Sequence, residues 1–464
     1  MEREENTYDV VIVGGGASGT ALLYTLSAYT NIKKVLLVEK YDRPAQVNSK
    51  ASNNSQTLHV GDIETNYSLS KVKEVLPAAM MVAEYAESLP EDKRKKILFT
   101  VPKMVLGIGH HEVTVLENRF SELRELFPKL EKLTRKEIGR AEPKIVEGRD
   151  EDVSLLALYT KEGHAVDFEA LSESFVEEAQ KREGILVRYK TQVTQIEKGP
   201  TDTYRIKLKN DGAIYAKTVV VDADSYSLLF AKALGYGKDF SLIPIAGTFY
   251  FSDALLNGKV YTVQEPLLPF AAVHGDPDVR VPNVTRWGPT ARFNPVLESR
   301  KTKTGVDYFR SSGLGHARTW KSFMKILLNP VRTKYLLKNM LYEIPWAGRR
   351  LFVEQVKKII PTITATDLRK AKGYGGMRLQ RVNTKTHELE LGEGKIIGEN
   401  IIFNMTPSPG ASVCLYNALR DTETLMDFFD DAYTFDSKKM EKDLVKGVSL
   451  KGRAPVSIPG GYAS

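Results

Sequence analysis

Gly14, Gly16 and Gly19 stand in the spacing G-x-G-x-x-G, and Glu39 follows twenty positions after the last of them. Gly14 permits a tight turn, Gly16 lets backbone N–H groups approach a pyrophosphate, and Gly19 lets a helix lie close on a strand. Glu39 can accept hydrogen bonds from a ribose diol and would repel a 2′-phosphate, so the motif admits NAD and FAD and disfavours NADP. Three further stretches could carry chemistry. His59 lies in NNSQTLHVG among amide and hydroxyl side chains, and His274 lies in LPFAAVHGDPD beside acids. A histidine titrates near working pH and suits a general base. Arg378 lies in GYGGMRLQ, where glycines allow close approach of a ligand and a guanidinium can hold a carboxylate in bidentate fashion. Each also has a plainer reading, as a solvated loop histidine, a solvated turn histidine and an ordinary surface arginine.

The elements that must position these residues follow from the pattern. Val10–Val13 reads as a short buried strand, Ala21–Ala28 as an apolar helix and Val35–Val38 as a second buried strand. Residues 40–70 are polar and rich in Asn and Ser, a long loop of the kind that carries function. Leu69–Leu89 has helical spacing. KILFTVPKMVLGIG reads as two strands joined at Pro102, and Glu112–Ile138 as a charged pair of surface helices. Asp167–Glu183 is an amphipathic helix with Phe168, Leu171, Phe175 and Ala179 on one face. Leu186–Ile196 reads as one strand, and Tyr204–Lys209 and Ile214–Asp222 as a hairpin across Asn210-Asp211-Gly212. GTFYFS, KVYTVQ, FAAVH and NVTRWG are spaced as in an antiparallel sheet, which makes His274 the last residue of its strand. Ile401–Phe403 returns to strand character and runs through TPSPGAS into a helix from Ala411, a turn whose N–H groups suit an anion or a flavin carbonyl.

The formal charge of +8 attracts anions, whether acidic metabolites, lipid head groups or nucleic acid. No zinc-ligand spacing and no nucleic-acid motif is present, which leaves nucleic acid little weight. Cys414 is the only cysteine, so internal disulfides are excluded and a reducing compartment is expected. MEREENTYDV reads as neither signal nor transit peptide, and no apolar run approaches the ~20 residues that span a bilayer. Membrane association would therefore be peripheral. Residues 317–345 combine Arg318, Lys321, Lys325, Arg332, Lys334 and Lys338 with Trp320 and many aliphatic residues. That composition fits a membrane interface, and equally a helix packed on the protein with a solvated basic face.

From VVIVGGGASG through NSQTLHVGDIETNYS, LPFAAVHGDPD, RWGPTA and GYGGMR to FNMTPSPGAS, the chain resembles the malate:quinone oxidoreductases. These belong to a wider group of FAD enzymes with L-2-hydroxyglutarate oxidases and D-amino-acid-oxidase-like proteins. The tail beyond about residue 440 lies outside the resemblance. The resemblance implies an α/β fold, a Rossmann-like FAD-binding domain interleaved with an α+β, antiparallel-sheet substrate domain. The first would comprise 1–80, 150–240 and 370–440, the second, substrate- and membrane-facing, 81–149 and 241–369, with 441–464 a disordered tail. It implies oxidation of (S)-malate to oxaloacetate by hydride transfer to FAD, with electrons passed to a membrane quinone. The enzyme would be cytoplasmic and peripheral on the inner face of the cell membrane. For catalysis it implies His274 or His59 as base and Arg378, with Arg286, as carboxylate clamp. For FAD it implies Gly14, Gly16, Gly19, Glu39, Lys40, Ser55, Gln56, Thr57, Val193, Ser408, Pro409 and Gly410. Thr290 lies on a segment expected to reach flavin or substrate.

One departure bears on the cofactor. In TVVVDADSYS, Asp224 stands where such flavoproteins carry glycine, and a carboxylate there would crowd or repel the FAD pyrophosphate. The rival readings are the same chemistry on L-2-hydroxyglutarate, a flavin-binding protein without catalysis, and a basic peripheral membrane protein that uses the nucleotide fold as a scaffold.

Overall fold

The structure, a computed structural model, describes residues 7–210, 212–264, 272–390, 394–405, 410–430 and 432–445. Its first layer grows from the strand Thr7–Val13, whose Val10, Val11 and Ile12 are fully buried. An apolar run buried on both faces is what a central parallel strand requires. Val35–Val38 pairs with it on one side and Ala213–Val221 on the other, both parallel. Ile185–Arg188 and Ile401–Met405 extend the sheet outward in the same sense, and Gly394–Gly398 closes one edge antiparallel. The helices Ala17–Tyr29, Phe168–Ala179 and Cys414–Phe428 cover one face, and Leu22, Leu26, Phe175 and Leu415 form its core. Strands far apart in sequence thus build one nucleotide-type sheet.

Two other sheets stand beside it. Phe240–Ala246 lies between Arg292–Phe293 and Met377–Asn383, with Glu388–Glu390 at the edge. The helices Ala317–Leu327 and Pro330–Leu341 lay Phe323, Ile326 and Leu336 against Ile243, Ile245 and Val382 of this sheet. The third sheet has eight strands. It carries Tyr250–Asp253, Val284–Gly288, His274–Pro277 and Lys259–Thr262 in antiparallel order, then Lys103–Ile108 parallel to Lys259–Thr262. Leu155–Thr160 and Glu131–Thr134 complete one end, and Arg369–Lys370 pairs with Tyr250–Asp253 at the other.

Several expectations change. Leu186–Ile196 is two strands, because Lys190 takes a positive φ of 52° and turns the chain between Ile185–Arg188 and Val193–Lys198. Within the charged stretch 112–138, helix Gly109–Leu123 is followed by the edge strand Glu131–Thr134 before a second helix, which Thr134 and Glu137 start with a reciprocal capping box. His274 opens its strand instead of ending it. Leu155–Thr160 joins the third sheet and Met377–Asn383 pairs with Phe240–Ala246, so neither is a strand of the nucleotide sheet. Residues 441–444 are the end of a helix, Ser437–Leu444, capped by Asp436 and anchored by buried Met440 and Leu444. Ser408 and Pro409, and the tail from 446, lie outside the described residues.

Candidate active site

A cleft of about 290 Å³ opens where the parallel strands end and the second sheet begins. The next pocket, about 10 Å³, is far smaller. The glycine turn forms one end of the cleft. Gly14 has φ +115°, and a Cβ there would sit 2.3 Å from the Asp222 carbonyl oxygen. A Cβ on Gly19 would sit 2.0 Å from the Gly14 carbonyl oxygen, so Gly19 serves close packing and does not line the cleft. Helix Ala17–Tyr29 begins here with Gly16 as its N-cap, its Ala17 amide donating to Ser49 Oγ (3.0 Å), and its positive end faces the cleft. Glu39 accepts from the Gly15 amide (2.7 Å) and the Tyr41 amide (2.9 Å). Lys40, Val193 and Gly410 also line the walls. Lys40 is paired with Glu298.

The loop 53–64 builds the other end. Ser55, Thr57 and His59 line the cleft. His59 places Nδ1 2.5 Å from Glu64 Oε1 and Nε2 3.1 Å from Ser55 Oγ, and its amide donates to Ser412 Oγ. Burial alone would raise the Glu64 carboxyl, but the His59 hydrogen bond and the nearby Lys103 charge hold it below the usual carboxylate range. A carboxylate on Nδ1 fixes the ring orientation and leaves Nε2 as the atom that takes up a proton. Gln56 does not reach the cleft. It is buried with φ 52°, donates to Ala51 O and Asp278 Oδ2, and accepts from the Val279 amide, so it fixes the loop.

Arg378 and Thr290 line the same end. The Arg378 guanidinium has no carboxylate partner among the described residues. Burial pushes its pKa down against the opposing influence of the nearby phenols Tyr261, Tyr335 and Tyr67. A cation held in a half-buried wall without a counter-ion is a receptor for an anion from outside the protein. Thr290 shares its hydroxyl with Thr248 (2.8 Å) and Glu343 (3.2 Å).

Two expected catalytic residues lie elsewhere. His274 is fully buried outside the cleft, stacked on Tyr261 with ring centroids 4.3 Å apart. Burial pushes its pKa down to about 3, so the ring stays neutral, and its Nε2 has no hydrogen-bond partner among the described residues. Arg286 is fully buried and saturated by the protein. It contacts Asp276 at 2.7 Å and Asp278 at 3.5 Å and donates to the carbonyls of Asn54 and Ser55. Lys259 meets the same Asp276 and the same Ser55 carbonyl. Burial would raise the Asp276 carboxyl, but the Arg286 and Lys259 charges hold it at about 2. This cluster braces the 54–57 loop from behind.

Sequence reasoning did not identify Glu64, the partner of His59, although it stands five positions on in the same loop. It also missed the three phenols around Arg378, which come from separate segments. Asp224 does occupy a left-handed backbone position, φ 50°, the kind that favours glycine. Its carboxyl lines the cleft, accepts from Asn48 Nδ2 at 2.5 Å, and is pushed up to about 6 by burial. Asp222 is pushed up to about 7 by burial and by the neighbouring Asp421, and its Oδ2 has no partner among the described residues.

The family model for malate:quinone oxidoreductase matches residues 6–448, which includes the helix 437–444. Malate:quinone oxidoreductase of Helicobacter pylori (strain J99) is 40% identical over 446 residues, covering 94% of this chain and 98% of that one. A probable malate:quinone oxidoreductase of Campylobacter jejuni is 39% identical over 460 residues, covering 96% and 100%. Among solved structures, dithionite-reduced L-alpha-glycerophosphate oxidase from Mycoplasma pneumoniae with FAD bound has a TM-score of 0.65 at 18% identity, covering 91% of this chain and 95% of that one. Glycine oxidase from Geobacillus kaustophilus has a TM-score of 0.62 at 17% identity, covering 96% and 100%. At such identities these two speak for the shared fold.

Proposed function

The chain belongs to the malate:quinone oxidoreductase family, an enzyme family that oxidises malate with quinone, and from that premise we propose how its cleft works. The cofactor is FAD. The residues fit it: the turn at Gly14–Gly16 and the helix start at Ala17 suit a diphosphate, and Glu39 keeps acceptor capacity for a ribose hydroxyl beyond its two amide bonds. Bound FAD supplies an acceptor for the hydride of malate C2.

The protein supplies binding, orientation and proton handling. Arg378 binds a malate carboxylate and fixes the C2–H direction, which is where much of a rate gain arises. His59 takes the hydroxyl proton at Nε2, and Glu64 stabilises the resulting imidazolium through Nδ1. The alcohol is too weakly acidic to ionise without such a base. The observation that carries this reading is the Arg378 guanidinium, without a carboxylate partner among the described residues, in the same cleft as the His59–Glu64 pair.

The contact with the membrane is peripheral. No helix among the described residues is long and apolar enough to cross a bilayer. The helices Ala317–Leu327 and Pro330–Leu341 use Phe323, Ile326 and Leu336 for packing, yet Trp320, Met324, Leu328, Leu337, Met340 and Trp346 remain exposed among Lys321, Lys325, Lys334 and Lys338. An apolar patch ringed by lysines suits an anionic lipid surface on the cytoplasmic side.

The test is anaerobic flavin absorbance of the purified protein titrated with L-malate and separately with L-2-hydroxyglutarate. Bleaching at lower malate concentration, with colour restored by a quinone analogue, is the expected result. Preferential bleaching by 2-hydroxyglutarate, or bound flavin that neither acid reduces, overturns it.

A further inference from the structure

Ser55, His59 and Glu64 form a chain of hydrogen bonds on the loop at the substrate end of the cleft. A carboxylate only accepts, so the Glu64 contact at 2.5 Å sets the proton of the neutral ring on His59 Nδ1 and makes Nε2 the acceptor. Nε2 has a single lone pair, which lies in the ring plane. Ser55 Oγ, 3.1 Å away, donates its proton to it. The ring is held in place, because Glu64 also accepts from the Gly61 amide (2.8 Å) and the His59 amide donates to Ser412 Oγ (3.1 Å). The basic nitrogen is therefore already occupied. The atom in front of it is Ser55 Oγ, on a residue that lines the cleft, and that oxygen has no other hydrogen-bond partner among the described residues. Two fully buried cations keep the serine still. Its carbonyl accepts from Arg286 Nη2 (2.8 Å), Lys259 Nζ (3.1 Å) and Thr57 Oγ1 (3.1 Å), and Asp276 anchors both cations.

We propose that Ser55 is a catalytic residue that relays the substrate proton: the malate hydroxyl proton moves to Ser55 Oγ while the Ser55 proton moves to His59 Nε2. Both protons shift in one step. The malate O–H bond breaks and its electron pair becomes the second bond of the ketone, as the C2–H electron pair leaves with the hydride for the cofactor. Ser55 ends neutral, with one proton, as it began. The new charge is the imidazolium of His59, beside the Glu64 carboxylate. A serine hydroxyl is too weak a base to take a proton alone, and it does so here because Nε2 withdraws its own proton at the same moment. Arg286, Lys259 and Asp276 then act as positioning residues through the Ser55 carbonyl, which gives the buried cluster behind the loop a part in the reaction. The inference rests on the reading of His59 as base given above.

The experiment follows anaerobic flavin reduction by malate in the flavin-loaded protein by rapid mixing. Ser55→Ala is expected to slow it about 100-fold, the lower end of what a positioned proton-transfer group contributes. Ser55→Thr keeps the hydroxyl and is expected to recover most of the rate. Flavin release on dilution, read by fluorescence, is expected to be the same in Ser55→Ala as in the unmodified protein, which separates a proton relay from a cofactor contact. In mixtures of H2O and D2O the unmodified rate is expected to fall along a bowed curve, the mark of two protons moving together. An unchanged rate in flavin-loaded Ser55→Ala, a straight line in the solvent mixtures, a Ser55→Thr protein no faster than Ser55→Ala, or a loss of rate that follows loss of flavin overturns the relay. If His59→Asn keeps the unmodified rate, or malate fails to bleach the flavin at all, it is the underlying reading that falls.

Discussion

His59 and His274 look alike in the sequence, each within two positions of a glycine and near an acid, yet they sit in opposite environments. His59 lines the cleft, with a carboxylate on one ring nitrogen and a serine hydroxyl on the other. His274 lies against Tyr261 with no access to the cleft, and burial keeps it neutral. The two arginines divide the same way. Arg378 faces the cleft without a carboxylate, whereas Arg286 is spent on Asp276, Asp278 and two backbone carbonyls. A chemical group is available to substrate only where the fold places it on the cleft. His274 and Arg286 instead lie among buried residues behind the loop that carries His59.

The largest expected effect separates the histidines. His59→Asn should lower kcat/KM for malate by about 10²- to 10⁴-fold with FAD retained. His274→Phe should keep the stacking on Tyr261, remove an unpaired polar atom and leave kcat/KM within a few-fold, as steady-state kinetics would measure. The arginines come next. Arg378→Met should cost about 100-fold in kcat/KM with folding intact, from lost substrate orientation. Arg286→Met should instead lower unfolding stability by about 3–5 kcal/mol in a denaturant titration, because the buried Asp278 loses its cationic partner and Asp276 keeps only Lys259. Equal losses of activity at equal stability in the two arginine variants would remove the distinction.

A smaller effect concerns the cofactor end of the cleft. Asp224, raised to about 6, and Asp222, raised to about 7, hold their protons more tightly in the fold than a free carboxyl does. Raised carboxyls contribute stability that is complete below their ordinary range near 4 and is lost as pH rises through the folded values, here between about pH 6 and 7. Ionisation also sets negative charge beside the diphosphate. FAD should therefore dissociate several-fold more readily at pH 8 than at pH 5, as flavin fluorescence on release would report. Asp224→Gly, which suits the φ of 50°, should flatten that dependence.

The nucleotide unit was legible because all its determinants are local: an apolar strand, a glycine turn and a helix with small residues at its start. The hairpin 204–221 and the amphipathic helix ending at Ala179 were legible for the same reason. What the sequence hid is mostly non-local. Leu155–Thr160 finds its partners at 103–108 and 131–134, and no pattern within it names them. Glu131–Thr134 is a half-wet edge strand whose charges read as helix surface, although the capping box right after it marks where the helix begins. His274 was misread because an acid two positions away suggested tuning. The acid is in fact held by Arg286 and Lys259, which come from two other strands.

The most direct test of the account is chemical rescue of a histidine variant. In His59→Ala, malate should reduce the flavin slowly under anaerobic rapid mixing, and added imidazole should restore the rate in proportion to its concentration. The same addition should do nothing for His274→Ala. Imidazole that leaves His59→Ala unchanged, or that rescues His274→Ala instead, would contradict the assignment of the proton to His59 Nε2.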